Sequence, residues 1–230
     1  MKTAYRVIVI MFVICVSRVY GQSALPSQKE YEPSNGKGRV VIVLSGQTGV
    51  DSYRIFAREL AKQGYYAVLF DGNDFWLKGG GGEALLKGVI ARAQQSPHAL
   101  PGKVGVMGFS LGGGVALAYA TRDPELVSAV VTFYPLTNFI KDPDAFVTRI
   151  KVPTILFAAV RDTYKDCCLI EMARKLSGAA KTRGEPAILE VIEYPNADHG
   201  FNLSGKAWRS DDAADALGRA LSHLRQYLGI

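Results

Sequence analysis

The stretch that decides the fold is VGVMGFSLGGG, residues 104–114. It contains the pattern G-x-S-x-G, with Gly108 and Gly112 on either side of Ser110. An apolar segment precedes the serine and helix-forming residues follow it, which is the context of a nucleophile elbow. In that sharp strand-to-helix turn, the residues two before and two after the serine pass too close to neighbouring backbone to carry a Cβ atom. The stretch predicts a reactive serine at this turn, the alternative being a tight turn with an idle serine.

Short apolar segments alternate with helical periodicity on both sides of this stretch. The predicted strands are residues 39–44, 66–70, 103–107, 126–133, 153–159 and 187–193, and the predicted helices are residues 52–63, 83–95, 111–121, 164–176 and 211–228. Short, wholly apolar strands that alternate with helices predict an α/β fold, a mostly parallel sheet flanked by helices on both faces. Ligands of such sheets bind outside the carboxyl ends of the strands.

A serine hydroxyl at neutral pH needs a base to become a nucleophile. The chain has three histidines. His199 follows the last predicted strand and lies C-terminal to Ser110, so it is the candidate base, although a plain turn histidine is the alternative. His98 sits in a proline-flanked loop on the amino side of a strand, and His223 lies within the last predicted helix. Both are expected to be bystanders.

A carboxylate has to hold that base in the correct tautomer. Asp162 comes just after a predicted strand and is the preferred candidate. Asp166, four residues later, is the alternative, and Asp198 is disfavoured because neighbouring side chains usually point apart. The order Ser110, Asp162, His199 is typical of the α/β-hydrolase fold and differs from the orders of chymotrypsin and subtilisin.

An oxyanion hole is expected to combine two backbone N–H groups. One is the N–H of Leu111, directly after the serine. The other should come from the loop after the first predicted strand, residues 45–50, where Gln47 is the first choice and Thr48 the second. An ordinary strand-to-helix turn is the alternative for this loop.

Three aromatic residues in loops after predicted strands are candidates for an apolar acyl pocket. They are Phe75, Trp76 and Tyr134. The alternative is that they seal their loops onto the core.

Taken together, these residues resemble the dienelactone hydrolase family of the α/β-hydrolase fold. The resemblance covers residues 38–228 and rests on GFSLGG at 108–113, on Asp162 after its strand, and on His199-Gly200-Phe201. It implies a compact domain without a large cap, because no cap-sized insertion lies between residues 134 and 153. The namesake enzymes carry a cysteine nucleophile, whereas this chain has Ser110, which favours an esterase over a dienelactone-cleaving enzyme.

Composition excludes several other classes of protein. The chain has 230 residues, of which 48% are apolar and 21% charged, typical of a globular domain. Basic residues are scattered among acidic ones, so no nucleic-acid partner is expected. Dinucleotide and P-loop glycine motifs are missing from the sequence, and the spacing of cysteine and histidine matches no metal site, so neither cofactor nor metal is expected. The adjacent Cys167 and Cys168 are interpreted as two half-buried thiols rather than a disulfide.

The amino terminus has the pattern of a secretory signal peptide. Lys2 and Arg6 precede the apolar run 7–16, and small residues mark a cleavage site after Gly21 or Ala24. The run is too short for a stable membrane anchor. We therefore expect a signal peptide at 1–21, a tail or short surface strand at 22–38, a hydrolase domain at 39–230, and export to the periplasm or the medium. Loss of 1–21 would lower the formal net charge by three from +6.

Three functions remain open at this stage. The first is a serine hydrolase that cleaves small carboxylic esters or lactones through an acyl-enzyme. The second is a serine peptidase of the prolyl-oligopeptidase type, which usually needs a large gating domain. The third is a non-catalytic module that binds a small molecule on a hydrolase fold.

Overall fold

The computed structural model describes residues 25–76, 81–185 and 188–230. Within these residues, seven strands form one sheet: β1 (Gln28–Tyr31), β2 (Gly38–Leu44), β3 (Tyr66–Phe70), β4 (Ala99–Phe109), β5 (Val127–Phe133), β6 (Thr154–Ala159) and β7 (Leu189–Tyr194). The described ranges also contain six α-helices: α1 (Arg54–Lys62), α2 (Gly82–Gln94), α3 (Leu111–Tyr119), α4 (Pro143–Val147), α5 (Ile170–Thr182) and α6 (Ser210–Tyr227). The predicted signal peptide lies outside the described residues.

The strands lie in the order β1-β3-β2-β4-β5-β6-β7. Every neighbouring pair is parallel except β1 and β3, which are antiparallel. The chain runs from β2 outward to β3 and then returns to place β4 on the other side of β2. The strand order therefore reverses between β2 and β4, which is where open α/β sheets bind their ligands. The predicted fold class, the α/β-hydrolase fold, is confirmed.

Alternate residues of the central strands face opposite layers of the core. Val41 and Val43 pack in the cluster that includes residues of α1 and α6, whereas Val40 and Ile42 pack in the cluster that includes residues of α2 and α3. Successive side chains of a strand point to opposite faces of the sheet. A strand whose two faces are both covered by helices therefore needs an unbroken apolar run, as at 40–44. A third cluster joins α4 and α5 to β6.

The observed elements differ from the predicted ones mainly in two places. The helix predicted at 164–176 begins only at Ile170, because Lys165 and Asp166 adopt positive φ angles of 48° and 51° that a helix cannot contain. The short α4 was not predicted, although Asp142 caps it by accepting a hydrogen bond from the Ala145 N–H at 2.9 Å and proline follows at the first helical position.

The described chain is compact around its sheet. Residues 134–153, between β5 and β6, contain α4 as their helix and no cap-sized insertion. Of the helices in the three described ranges, none is both long enough and apolar enough to cross a membrane.

Candidate active site

Ser110 occupies the turn between β4 and α3 in a strained conformation. Its φ and ψ angles are 49° and −113°, a region that non-glycine residues rarely adopt. Three hydrogen bonds hold its backbone there. Its N–H donates to the carbonyl of Phe133 at 3.0 Å, and its own carbonyl accepts from the N–H groups of Gly114 at 3.0 Å and Leu136 at 2.8 Å. The strain is therefore imposed by the surrounding backbone.

The two glycines of the G-x-S-x-G pattern stand where a Cβ atom would collide with backbone. A Cβ at Gly108 would overlap the carbonyl of Gly112, and a Cβ at Gly112 would overlap the carbonyls of Leu44 and Ser45. This close contact brings the elbow against the loop after β2, where the N–H of Gly112 donates to the carbonyl of Ser45 at 3.1 Å. Glycine is needed at both positions for the reason that the sequence pattern implies.

The structure brings Ser110, His199 and Asp162 together. The Nε2 atom of His199 lies 3.0 Å from the Oγ of Ser110, and its Nδ1 atom lies 2.6 Å from Oδ2 of Asp162. The three residues are far apart in sequence and come from loops at the carboxyl ends of β4, β6 and β7. The Asp162 carboxylate is fully buried, whereas the His199 side chain keeps 17% of its surface exposed.

Backbone N–H groups hold the loop that carries Asp162 in place and join it to the loop that carries His199. The second carboxylate oxygen of Asp162 accepts the N–H of Tyr164 at 3.0 Å. The N–H of Arg161 donates to the carbonyl of Ala197 at 2.9 Å, which joins the two loops beside the site. The carboxylate is thereby held so that one oxygen faces the imidazole.

Two tyrosines enclose the His199 ring. Tyr164 stacks on it with ring centroids 4.5 Å apart and planes inclined by 16°, and Tyr134 meets it edge-on at 4.7 Å. The Tyr134 hydroxyl donates to Oδ1 of Asn202 at 2.7 Å. Burial raises the pKa of Tyr134 well above its usual value, so its hydroxyl stays protonated and neutral. Tyr134, a candidate pocket residue, thus lies buried under the imidazole.

The loop after β2, the predicted source of an oxyanion donor, is anchored at Gln47 through both its backbone and its side chain. The Gln47 carbonyl accepts from Nδ2 of Asn73 at 3.1 Å, and its side-chain Oε1 accepts from the ammonium of Lys165 at 3.2 Å. Among the described residues, no protein acceptor takes the backbone N–H of Leu111 or of Gln47. Both donors are therefore available.

The other predicted pocket residues take different places. Phe75 is fully buried in the core and packs edge-on against Phe70 at 5.9 Å, so it seals its loop and does not line an open pocket. Trp76 is half-buried and packs against Phe139 at 5.2 Å. For Phe75, the alternative that the aromatic ring seals its loop onto the core is therefore the one that the structure supports.

The interpretation of Cys167 and Cys168 as free thiols was wrong. The two residues form a disulfide and are both buried. They lie between the 3-10 turn Tyr164–Asp166 and the start of α5. The carbonyl of Cys167 accepts the N–H groups of Thr137 at 2.8 Å and Asn138 at 3.1 Å. These bonds hold the pair against the loop after β5.

The remaining candidates are not part of the hydrogen-bonded chain from Asp162 through His199 to Ser110. Asp166 and Asp198 are exposed. His98 lies 3.2 Å from a carboxylate oxygen of Glu32. His223 in α6 has its Nε2 atom 3.1 Å from the carbonyl of Pro153. Tyr164 was not predicted as a site residue, and the one signal that the sequence offers for it is its position two residues after Asp162.

Three comparisons with known proteins agree with this architecture. The family model described as "Dienelactone hydrolase family" matches residues 77–228. A protein of Escherichia coli strain K12 named as a carboxymethylenebutenolidase is 28% identical over 248 residues, covering 92% of this chain and 88% of that protein. Its homologue in Yersinia pestis, with the same name, is 28% identical over 240 residues, 90% of this chain and 88% of the relative.

Solved structures share the fold. The crystal structure of a protein described as a dienelactone hydrolase from Klebsiella pneumoniae superposes with a TM-score of 0.69 at 21% identity, over 87% of this chain and all of that one. The propionate-bound esterase of Thermogutta terrifontis superposes with a TM-score of 0.64 at 21% identity, over 86% of this chain and 88% of the esterase.

Proposed function

Because this chain belongs to the dienelactone hydrolase family, and is thus a hydrolase that acts on ester or lactone bonds, we propose that its nucleophile is Ser110 and that it works through an acyl-enzyme. His199 is the general base and Asp162 its orienting carboxylate. The observation that carries this proposal is the unbroken chain of two hydrogen bonds from Asp162 through His199 to Ser110. It lies at the carboxyl edge of the sheet, where the fold binds its ligands.

The hydrogen bonds support a defined path for one proton. With Nδ1–H donating to Asp162, the Nε2 lone pair of His199 faces the Ser110 hydroxyl. The serine oxygen attacks the carbonyl carbon of the substrate while His199 takes its proton. When the tetrahedral intermediate collapses, His199 returns the proton to the leaving alkoxide and an acyl-serine remains. Water then attacks the acyl group by the same path in reverse, releasing the acid and regenerating the serine.

The negative charge that develops on the substrate oxygen needs donors. We assign this role to the backbone N–H groups of Leu111 and Gln47, which no described protein acceptor takes. The first also lies at the amino end of α3, where the helix dipole favours negative charge. Losing one such donor typically costs on the order of 3 kcal/mol of transition-state stabilisation.

A serine in place of the cysteine of the namesake enzymes changes what the base must do. A thiol ionises near neutral pH, whereas a hydroxyl has to be deprotonated during attack. The short Asp162–His199 contact and the aromatic enclosure of the imidazole both suit this demand. We therefore propose small carboxylic esters, or lactones, as the substrate class.

The first experiment measures hydrolysis of p-nitrophenyl esters of increasing acyl length by the protein and by Ser110→Ala. Ser222→Ala is the matched control, because Ser222 is an exposed serine of α6. The Ser110 variant should lose on the order of 10⁴-fold or more in kcat, and the control should keep its activity. An acetyl adduct on the peptide that contains Ser110, trapped by acid quench and found by mass spectrometry, would establish the acyl-enzyme.

Two results would redirect the proposal. Activity on esters that survives Ser110→Ala would remove the serine from the mechanism. If no ester is cleaved, short proline-containing peptides test the peptidase alternative. If neither class is turned over, the binding-module alternative takes its place.

We also propose that residues 1–21 direct export to the periplasm or the medium. The charged start followed by an apolar run supports this, as does a disulfide, since disulfides persist in oxidising compartments. Expression in a bacterial host, fractionation and amino-terminal sequencing test the proposal. A protein that stays in the cytoplasm with Met1 intact would contradict it.

A further inference from the structure

The Cys167–Cys168 disulfide lies directly beside the proposed base. Both sulfur atoms and a ring nitrogen of His199 lie within 4.8 Å of one another. Tyr164, which stacks on the imidazole, belongs to the 3-10 turn that immediately precedes Cys167. The loop that carries Asp162 therefore also brings a pair of sulfurs to the site, and the hydrolytic mechanism uses neither of them.

We propose that reduction of this disulfide creates a site for a thiophilic divalent cation of the zinc class, formed by the thiolates of Cys167 and Cys168 and by His199, and that the bound cation silences the hydrolase. The inference rests on the proposed function, because it takes His199 as the base. While the sulfurs are bonded to each other they cannot act as thiolate ligands, so the oxidised protein lacks the site.

The distances suit such a cation once the sulfur–sulfur bond is broken. Zinc binds thiolate sulfur at about 2.3 Å and imidazole nitrogen at about 2.0 Å, so neighbouring ligand atoms of a tetrahedral site lie roughly 3.5–3.8 Å apart. In the oxidised protein the three ligand atoms already lie within 4.8 Å of one another, so after reduction the two sulfurs have to move apart to about 3.8 Å while both stay beside the imidazole. Two thiolates and one imidazole are ligands that zinc prefers, and water can take the fourth position.

Formation of the cation site requires reduction of the disulfide and then deprotonation of both thiols. The disulfide bond breaks on accepting two electrons and two protons from a reductant, either a dithiol that leaves as its own disulfide or a phosphine that leaves as its oxide with oxygen from water. Each thiol then releases a proton when the divalent cation binds. Cys167 and Cys168 keep 7% and 8% of their surface exposed, and the turn before them is exposed, so local opening gives a reductant access.

Binding through either nitrogen of His199 stops catalysis. Nε2 faces Ser110 at 3.0 Å and Nδ1 faces Asp162 at 2.6 Å. A cation on Nε2 takes the lone pair that should accept the serine proton. A cation on Nδ1 displaces the carboxylate that holds the tautomer. General-base catalysis typically contributes 10²–10⁴-fold, so we expect the loaded protein to lose activity on the order of 100-fold.

Cadmium is the probe, because its bond to thiolate gives an ultraviolet charge-transfer band that does not depend on turnover. Full-length protein is titrated with CdCl₂ with and without prior treatment with a phosphine reductant. The double variant Cys167→Ser/Cys168→Ser is titrated in parallel and retains Cys15, so any band from Cys15 cancels in the difference. The reduced parent should gain a band from one added equivalent of cadmium and lose ester hydrolysis in proportion, and a chelator should reverse both.

Each other outcome has a defined meaning. Equal bands in the reduced parent and the double variant, or an equal band in the oxidised parent, would overturn the redox-gated site. A band in the reduced parent with activity unchanged would remove His199 from the ligand set and overturn the proposed inhibition. If the band forms as expected but the untreated protein hydrolyses no ester, the cation site stands and the proposed hydrolase function fails instead.

Discussion

The ring of Tyr164 lies nearly parallel to the imidazole of His199, at a centroid distance of 4.5 Å and an angle of 16°. A second contact restricts the same imidazole, because Tyr134 meets it edge-on. A histidine on a loop would otherwise sample several rotamers, most of which aim Nε2 away from Ser110. The two tyrosines therefore limit the imidazole to the orientation in which it bridges Asp162 and Ser110.

Removing the stacked ring should lower kcat more than it raises KM. Aromatic pairs contribute about 0.5–1.5 kcal/mol beyond burial, so Tyr164→Ala should cost roughly two- to tenfold in kcat. Tyr164→Phe keeps the ring and should restore most of the rate. Steady-state kinetics on one p-nitrophenyl ester checks this. An Ala variant with normal kcat, or a Phe variant as slow as Ala, would show that stacking does not position the base.

Replacing the orienting carboxylate should be far more damaging. Asp162→Asn keeps the shape of the side chain but can stabilise the wrong tautomer of His199, and we expect a fall in kcat on the order of 10⁴-fold. Asp166→Asn is the matched control, since Asp166 is exposed and its positive φ angle suits asparagine. Comparable losses in both variants would contradict the assignment of Asp162.

Two glycine substitutions should change stability in opposite directions. In Gly112→Ala the new methyl group overlaps the carbonyls of Leu44 and Ser45, so unfolding should become easier by about 3 kcal/mol or more. In Gly178→Ala the methyl group meets nothing within 4 Å on the exposed side of α5. That variant should gain about 0.5–1 kcal/mol, because alanine has less freedom to lose on folding. Urea denaturation of both variants measures the free energies of unfolding.

Buried His223 should make the fold sensitive to acid. Burial lowers its pKa below 6.5, outweighing the carbonyl of Pro153 and the charge of Glu190, which act in the opposite direction. The unfolded chain therefore binds this proton more readily than the folded chain, and stability is complete above the unfolded pKa and falls as pH drops below it.

Melting temperatures between about pH 8 and about pH 5 test this, with His223→Gln as the comparison. The parent should lose more stability than the variant across that window. His98 and His199 are present in both proteins, so the difference between the two isolates His223. Parallel curves would show that His223 does not carry the effect.

The fold was predictable because its signals are local. The apolar run at 40–44 and the G-x-S-x-G elbow each specify a short piece of backbone, and the alternation of such pieces leaves few topologies. The family resemblance based on the elbow, Asp162 and the HGF stretch at 199–201 is confirmed. The late start of α5 was not predictable, because the positive φ angles at Lys165 and Asp166 depend on contacts with distant loops.

The side-chain environment of the site was harder to foresee for the same reason. Tyr164, Lys165 and the disulfide acquire their positions from partners such as Gln47 and Thr137, which are distant in sequence. Phe75 shows a second limit of prediction from sequence. An aromatic residue after a strand can line a pocket or seal a loop, and only its burial against Phe70 distinguishes the two.

The strained backbone at Ser110 has an evolutionary consequence. A residue held in such a region costs about 1–3 kcal/mol, and glycine would relieve most of that cost. Selection for catalysis therefore retains serine at this position, whereas selection for stability favours glycine. A duplicated copy of this gene, once freed from selection for catalysis, should drift towards glycine at position 110 and yield a more heat-resistant, inert descendant.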